Sequence, residues 1–147
     1  MTDCGRRVLV NLGFEMALGE TCRAIREEGL QVIARIDLRD HFWRDLGHNF
    51  RRYFLLETWS PKLALEALGT NLEIGTIFRT TFAIYEHSDN ETIVVAKESL
   101  APIAADLEWR RDEPSLAALA DQESERVARV LERLRRASSH EVSAPAA

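Results

Sequence analysis

A chain of 147 residues that is 46% hydrophobic is long enough to bury one core without disulfide or metal staples. Its 19 basic and 24 acidic side chains leave a net charge of -5, which argues against a nucleic-acid partner, since phosphate-driven binding needs a basic stripe. Two cysteines, Cys4 and Cys22, make neither a disulfide framework nor a zinc signature and suit a reducing compartment. The opening MTDCGRRVLVNLGF has too short an apolar run for a signal peptide, and no later stretch can span a bilayer, so a cytoplasmic protein without a membrane partner is expected.

The first strand is read at RRVLVNL (6–12), a β-branched run. From Phe14 the period becomes helical: Phe14, Leu18, Cys22 and Ile25 share a face, and Gly29 stops the helix after REE. LQVIARI (30–36) is the second strand. Asp37 stands where an N-cap would, which makes LRDHFWRDL a short helix closed by Gly47. FRRYFLLET (50–58) is the third strand. Ser60 can then cap, and Pro61 suits the first helical position, so PKLALEAL is a helix with Gly69 as its stop.

IFRTTFAIYE and ETIVVAKES flank the turn-rich HSDN and form a hairpin. Residues 101–114 hold two prolines and are assigned to a loop. Beyond them Leu116, Leu119, Glu123, Val127, Val130 and Leu134 share one face of a long C-terminal helix, with Arg129, Arg133 and Arg136 on the opposite side. The closing ASSHEVSAPAA has little to bury, so residues 137–147 are expected to be a disordered tail on a single domain of residues 1–136. Five strands with helices between and after them predict a two-layer α+β domain. The links are too short for repeated crossovers, so the sheet should be mostly antiparallel, with its helices packed on one face.

The order of these pieces resembles a known family. GFEMALGETCRAIREEGLQVIARIDL is similar to the opening of the domain-of-unknown-function 302 family, a helix, a Gly, then a strand ending in Asp-Leu. DLGHNFRRYFLLETWSPKLALEALGTNLEIG looks like that family's middle, with a Leu-Gly turn, an aromatic strand, a Pro-Lys helix start and a later Ile-Gly, and TTFAIYE resembles its following strand. The match covers roughly residues 8 to 100 and rests on order and spacing, with no single diagnostic motif. The resemblance implies a TATA-binding-protein-like fold and a homodimer, with no established activity. Many members carry Cys-Asn before the Pro where this chain has Trp59 and Ser60, and Pro-Cys before the fourth strand where it has Arg79 and Thr80. Any thiol chemistry those cysteines perform in relatives is therefore absent here.

Few side chains suggest chemistry. Asp37, His41, Asp45 and His48 would line one side of a continuous helix and could hold a divalent metal. Asp37 is better explained as a cap, however, and Gly47 breaks the helix before His48, so neither a metal nor another cofactor is expected. Arg44, Arg51 and Arg52 interleave with Phe42, Trp43, Phe50, Tyr53 and Phe54. That mixture can stack single-stranded nucleic acid, but strand packing accounts for it better in an acidic chain.

Strand alternation is more informative. It sets Val8, Val10, Val32, Ala34, Ile36, Phe82 and Ile84 toward the helices. The opposite face takes Leu9, Ile33, Arg35, Tyr53, Leu55, Arg79, Thr81 and Tyr85, with Ile93, Val95 and Lys97 if the hairpin register holds. Arg35, Arg79, Tyr85 and Lys97 are the candidate ligand-binding residues, three cations and a hydroxyl for an anionic small molecule. The competing use of the same face is a dimer interface or a wet sheet surface. The expectation is a non-catalytic homodimeric module binding a small ligand or a protein partner. The rival is a small enzyme with Asp37 or His41 as base.

Overall fold

The computed structural model describes residues 4–100 and 106–143. Its strands are β1 (Arg6–Val10), β2 (Gln31–Asp37), β3 (Tyr53–Trp59), β4 (Thr80–Ser88) and β5 (Glu91–Lys97). They form one five-stranded sheet in the order β1-β5-β4-β3-β2, and every neighbouring pair is antiparallel. The domain is α+β, as the element order predicts. Helix α1 (Phe14–Glu27) carries the chain from the β1 edge to the β2 edge and buries Phe14, Ala17, Leu18, Thr21, Cys22, Ala24 and Ile25 at helical spacing. Gly29 follows with φ +77°, a left-handed turn that its missing Cβ makes cheap.

Local signals set the next elements. Asp37 Oδ1 accepts the Asp40 N–H at 3.1 Å and starts α2 (Leu38–Leu46), which Gly47 closes at φ 62°. The Ser60 hydroxyl accepts from Leu63 N–H at 3.4 Å ahead of α3 (Pro61–Thr70). Gly69 does not end that helix. The chain turns two residues later, where Asn71 Oδ1 accepts from Glu73 N–H at 2.9 Å and caps a 3-10 turn, Leu72–Thr76. The expected loop at 101–114 is also corrected in part: Leu107–Asp112 is a short helix, α4, and Pro114 opens α5 (Pro114–Ser143), while residues 101–105 lie outside the described residues.

Helix α5 runs for 30 residues. Its buried stripe continues past Leu134 to Ser138, whose hydroxyl accepts the Asn11 N–H at 2.8 Å. The residues expected to form a disordered tail are therefore helical from Ala137 to Ser143, because a serine at the next stripe position satisfies a backbone donor of the β1–α1 turn. Residues 144–147 lie outside the described residues.

One apolar cluster joins the sheet (Val8, Val10, Phe82, Ile84, Val94) to α1 and to the Val127–Leu134 part of α5. A second cluster joins α3 and Phe78 to Leu116 and Leu119. At the far end of α1, Glu28 takes hydrogen bonds from Arg129 Nε at 2.7 Å and Arg133 Nε at 2.8 Å, while Arg126 Nη1 donates to the Glu28 carbonyl at 2.8 Å.

Ending the chain at Arg136 should cost about 1 kcal/mol in urea denaturation relative to ending it at Ser143, and Ser138→Ala should reproduce most of that loss. Equal stabilities would mean that the last helical turns contribute nothing. Val130 is fully buried. Val130→Asp should cost about 3 kcal/mol or more, by burying an unpaired carboxylate, and a loss under about 0.5 kcal/mol would contradict its placement.

Candidate functional site

Helix α1 and the Val127–Leu134 part of α5 pack on one side, so among the described residues the other side of the sheet is left to strand side chains, with α2 at its margin. Residues directly opposite in a ladder share a face. The pairings therefore sort this open face into three rows. Leu9, Ile93, Tyr85 and Tyr53 form the first, and Arg7, Val95, Ala83, Leu55 and Ile36 the second. Lys97, Thr81, Glu57 and Ala34 form the third.

Apart from Arg7 at the β1 end of the second, the first two rows are apolar or aromatic. Tyr53 and Tyr85 stack at 5.3 Å with their planes 8° apart, and Phe50 extends the series to Phe42 on α2. Burial, the neighbouring Tyr85 and Cys4 together push the Tyr53 phenol up. Ile93 is buried, the tyrosines, Leu55, Ala83 and Val95 are half-buried, and Leu9 is 45% exposed. On α2, Trp43 is 61% and Leu46 75% exposed, and no residue of that helix is buried.

The third row is charged and borders an open cleft of about 340 Å³ lined in part by Glu57, Ile77, Arg79, Thr81 and Lys97. The Thr81 hydroxyl lies 3.1 and 3.0 Å from the two Glu57 oxygens. Arg79 lies just before β4, its N–H donating to Ser99 Oγ at 3.0 Å.

The four predicted ligand residues do not form one cluster. Arg79 and Lys97 share the cleft. Tyr85 lies four residues further along β4 than Thr81, about 13 Å away at strand rise. Arg35 is on the other face altogether. A register shift between Val32 and Ala34 puts Ile33 out of step, so Arg35 opposes Leu56 while Ala34 and Ile36 turn outward. Arg35 Nη2 consequently lies 3.4 Å from the Cys22 sulfur on α1.

The enzyme candidates are placed differently. Asp37 is occupied in capping α2, and His41 is exposed. An open cleft of about 480 Å³ is lined by Asp37, Arg39, Asp40, Trp43 and Asn49, and His41 is not among its lining residues. Among the described residues no three His, Cys, Asp or Glu side chains are grouped to hold a metal ion. Of the interleaved arginines, Arg52 lies over the Phe14 ring at 4.6 Å and pairs with Glu15, and Arg51 reaches the Glu86 carbonyl at 3.3 Å.

Two buried carboxylates were not read as special in the sequence. Glu123 accepts from Thr80 Oγ1 at 3.1 Å, Ser99 Oγ at 3.0 Å and Leu100 N–H at 3.0 Å. Burial pushes its carboxyl up, the three hydrogen bonds oppose that, and nearby Glu98 adds to it; the net direction is upward. Glu98 is held by Arg6, Nη2 to Oε1 3.0 Å, as an ion pair rather than a directed hydrogen bond. The signal for Glu123 was its seat within an apolar stripe. Glu57 alternates with Leu55 and Tyr53 and could have been found by the same count.

Comparison with known proteins agrees with this architecture. The model of the family described as "Domain of unknown function DUF302" matches residues 6–134. A crystal structure of an uncharacterized conserved DUF302 protein from Bacillus stearothermophilus superposes with a TM-score of 0.71 at 20% identity, covering 88% of this chain and 97% of that one. None of the curated proteins matches.

Because the folded-state carboxyl of Glu123 is raised, its stabilising contribution is full below the ordinary carboxyl range and is lost as pH rises through the folded value. Glu28 has the opposite sign. Burial pushes it up, but the hydrogen bonds from Arg129 and Arg133 outweigh that, so its contribution is present above the ordinary range and lost as pH falls through the lowered value. Glu123→Gln should therefore gain stability relative to the parent as pH is raised from about 4 to about 8. A difference that stays constant across that span would deny the shift.

Proposed function

We propose that this chain, which belongs to the DUF302 family, is a non-catalytic homodimeric binding module whose open sheet face is its working surface. One observation carries the reading: two adjacent apolar rows, Leu9–Ile93–Tyr85–Tyr53 and Val95–Ala83–Leu55–Ile36, lie on the side of the sheet away from α1 and α5. Apolar area of this kind is stabilised by being covered. A second copy suits it because a two-fold axis along the strands through the centre of the sheet would lay one apolar face on the other and bring the β1 edge of each copy to the α2 margin of its partner. Trp43 and Leu46 of α2 would enlarge the contact.

The cleft at the charged third row supports the small-ligand half of this reading. Arg79 and Lys97 are the residues retained for an anionic group, and Tyr85 passes to the interface. The same reading takes the layering as TATA-binding-protein-like, and the two free thiols as suited to a cytoplasmic setting. The rival enzyme is disfavoured because Asp37 already caps α2.

Light scattering should give a mass near twice 16.7 kDa at micromolar concentration. Leu9→Arg, at a position already half in solvent, should shift the protein toward the single-chain mass with its circular dichroism unchanged. A parent that is monomeric throughout would remove the dimer reading.

A further inference from the structure

The cleft at the third row is lined by two side chains of opposite sign, Glu57 and Arg79, that do not pair with each other. Glu57 is half-buried and has the Thr81 hydroxyl as its partner; Arg79 is exposed. Neither has an ion-pair partner among the described residues, although both line the same cleft of about 340 Å³. Glu57 stands opposite Thr81, two residues along from Arg79. That diagonal relation in an antiparallel pair separates Cα atoms by about 7–8 Å, close enough for one small molecule to touch both side chains.

The consequence is a restriction on charge. A simple anion drawn by Arg79 and Lys97 would bring its charge near the Glu57 carboxylate, and a simple cation drawn by Glu57 would face the two bases. Both arrangements lose to like-charge repulsion part of what they gain, and the low dielectric of a half-buried position enlarges that loss. A molecule carrying both charges meets neither penalty. Ile77, 45% exposed on the cleft wall, offers apolar contact to a short carbon chain between them.

We propose that this cleft binds a small zwitterion, with an ammonium group at Glu57 and a carboxylate at Arg79, Lys97 adding positive potential on the carboxylate side. The proposal rests on the reading of the open face as a ligand surface and narrows its ligand from an anion to an amino-acid-like compound. Both contacts are charge-assisted hydrogen bonds, donated by the ligand at Glu57 and accepted by it at Arg79.

Isothermal titration of the full chain can test this with glycine, 4-aminobutyrate and 6-aminohexanoate, each set beside the matching carboxylate without the amine and the matching amine without the carboxylate. At least one zwitterion should bind tenfold or more tightly than both of its singly charged analogues. Glu57→Gln should bring that zwitterion down to the level of the carboxylate, and Arg79→Gln down to the level of the amine, with denaturation midpoints unchanged. If a carboxylate alone binds the parent as tightly as its zwitterion, and Glu57→Gln does not weaken it, the zwitterion is overturned and the anionic ligand reading survives. If no compound of the three sets binds, both the zwitterion and the ligand reading fall, whatever light scattering reports about the dimer.

Discussion

The apolar stripe of α5 has to be buried along most of its length, and only one side of a five-stranded sheet can receive it. Leu116, Leu119, Val127, Val130 and Leu134 span both apolar clusters, so this one helix links the α3 end of the sheet to the α1 end. Filling that side commits the outward side chains of β3, β4 and β5 to the opposite one. The open face is thus a consequence of where the long helix lies, and its rows inherit their register from a core they do not touch.

Polar groups fix the position of the helix where apolar contact alone would let it slide. Glu123 sits between the two clusters and takes donors from the ends of β4 and β5. Glu28 holds the other end through Arg129 and Arg133. The first is a buried carboxylate, for which desolvation outweighs three hydrogen bonds; the second is paired with two guanidinium groups, which outweigh its desolvation. One fold therefore contains two carboxylates that respond to acid in opposite senses, and each reports on a different attachment of the same helix.

Most of the architecture was legible because its signals are local. Asp37, Gly47, Ser60 and Pro61 bound their helices as cap chemistry requires, and the hairpin keeps the alternation of its strands from Thr81 to Glu86, up to a register shift between Glu86 and Ser88. The face of Arg35 was not legible. One bulged residue at Ile33 reverses everything after it in β2, and no turn residue or charge marks the place. The end of α5 was missed for another reason. Serine and alanine have little apolar area, and the value of Ser138 comes from an Asn11 N–H that is distant in sequence. Of the candidate site, Arg79 and Lys97 were found by alternation. Their companion Glu57 was passed over, and the strand order that brings it to them is a property of the whole sheet.

The residues at the end of β3 and the start of β4 gain a meaning from their surroundings. Ser60 accepts from Leu63 N–H at the start of α3, and Trp59 packs against the second cluster, its indole N–H without a hydrogen-bond partner among the described residues. Thr80 donates to Glu123, and Arg79 stands at the cleft. Ser60, Trp59 and Thr80 thus each have a contact specific to their own chemistry, a cap, an apolar surface and a hydroxyl donor, and Arg79 brings a positive charge to the cleft. The residues at the end of β3 serve the core, whereas those at the start of β4 serve both the core and the open face. Residue 79 is where a change can alter the charge of the cleft while leaving the hydrogen bond from Thr80 to Glu123 in place.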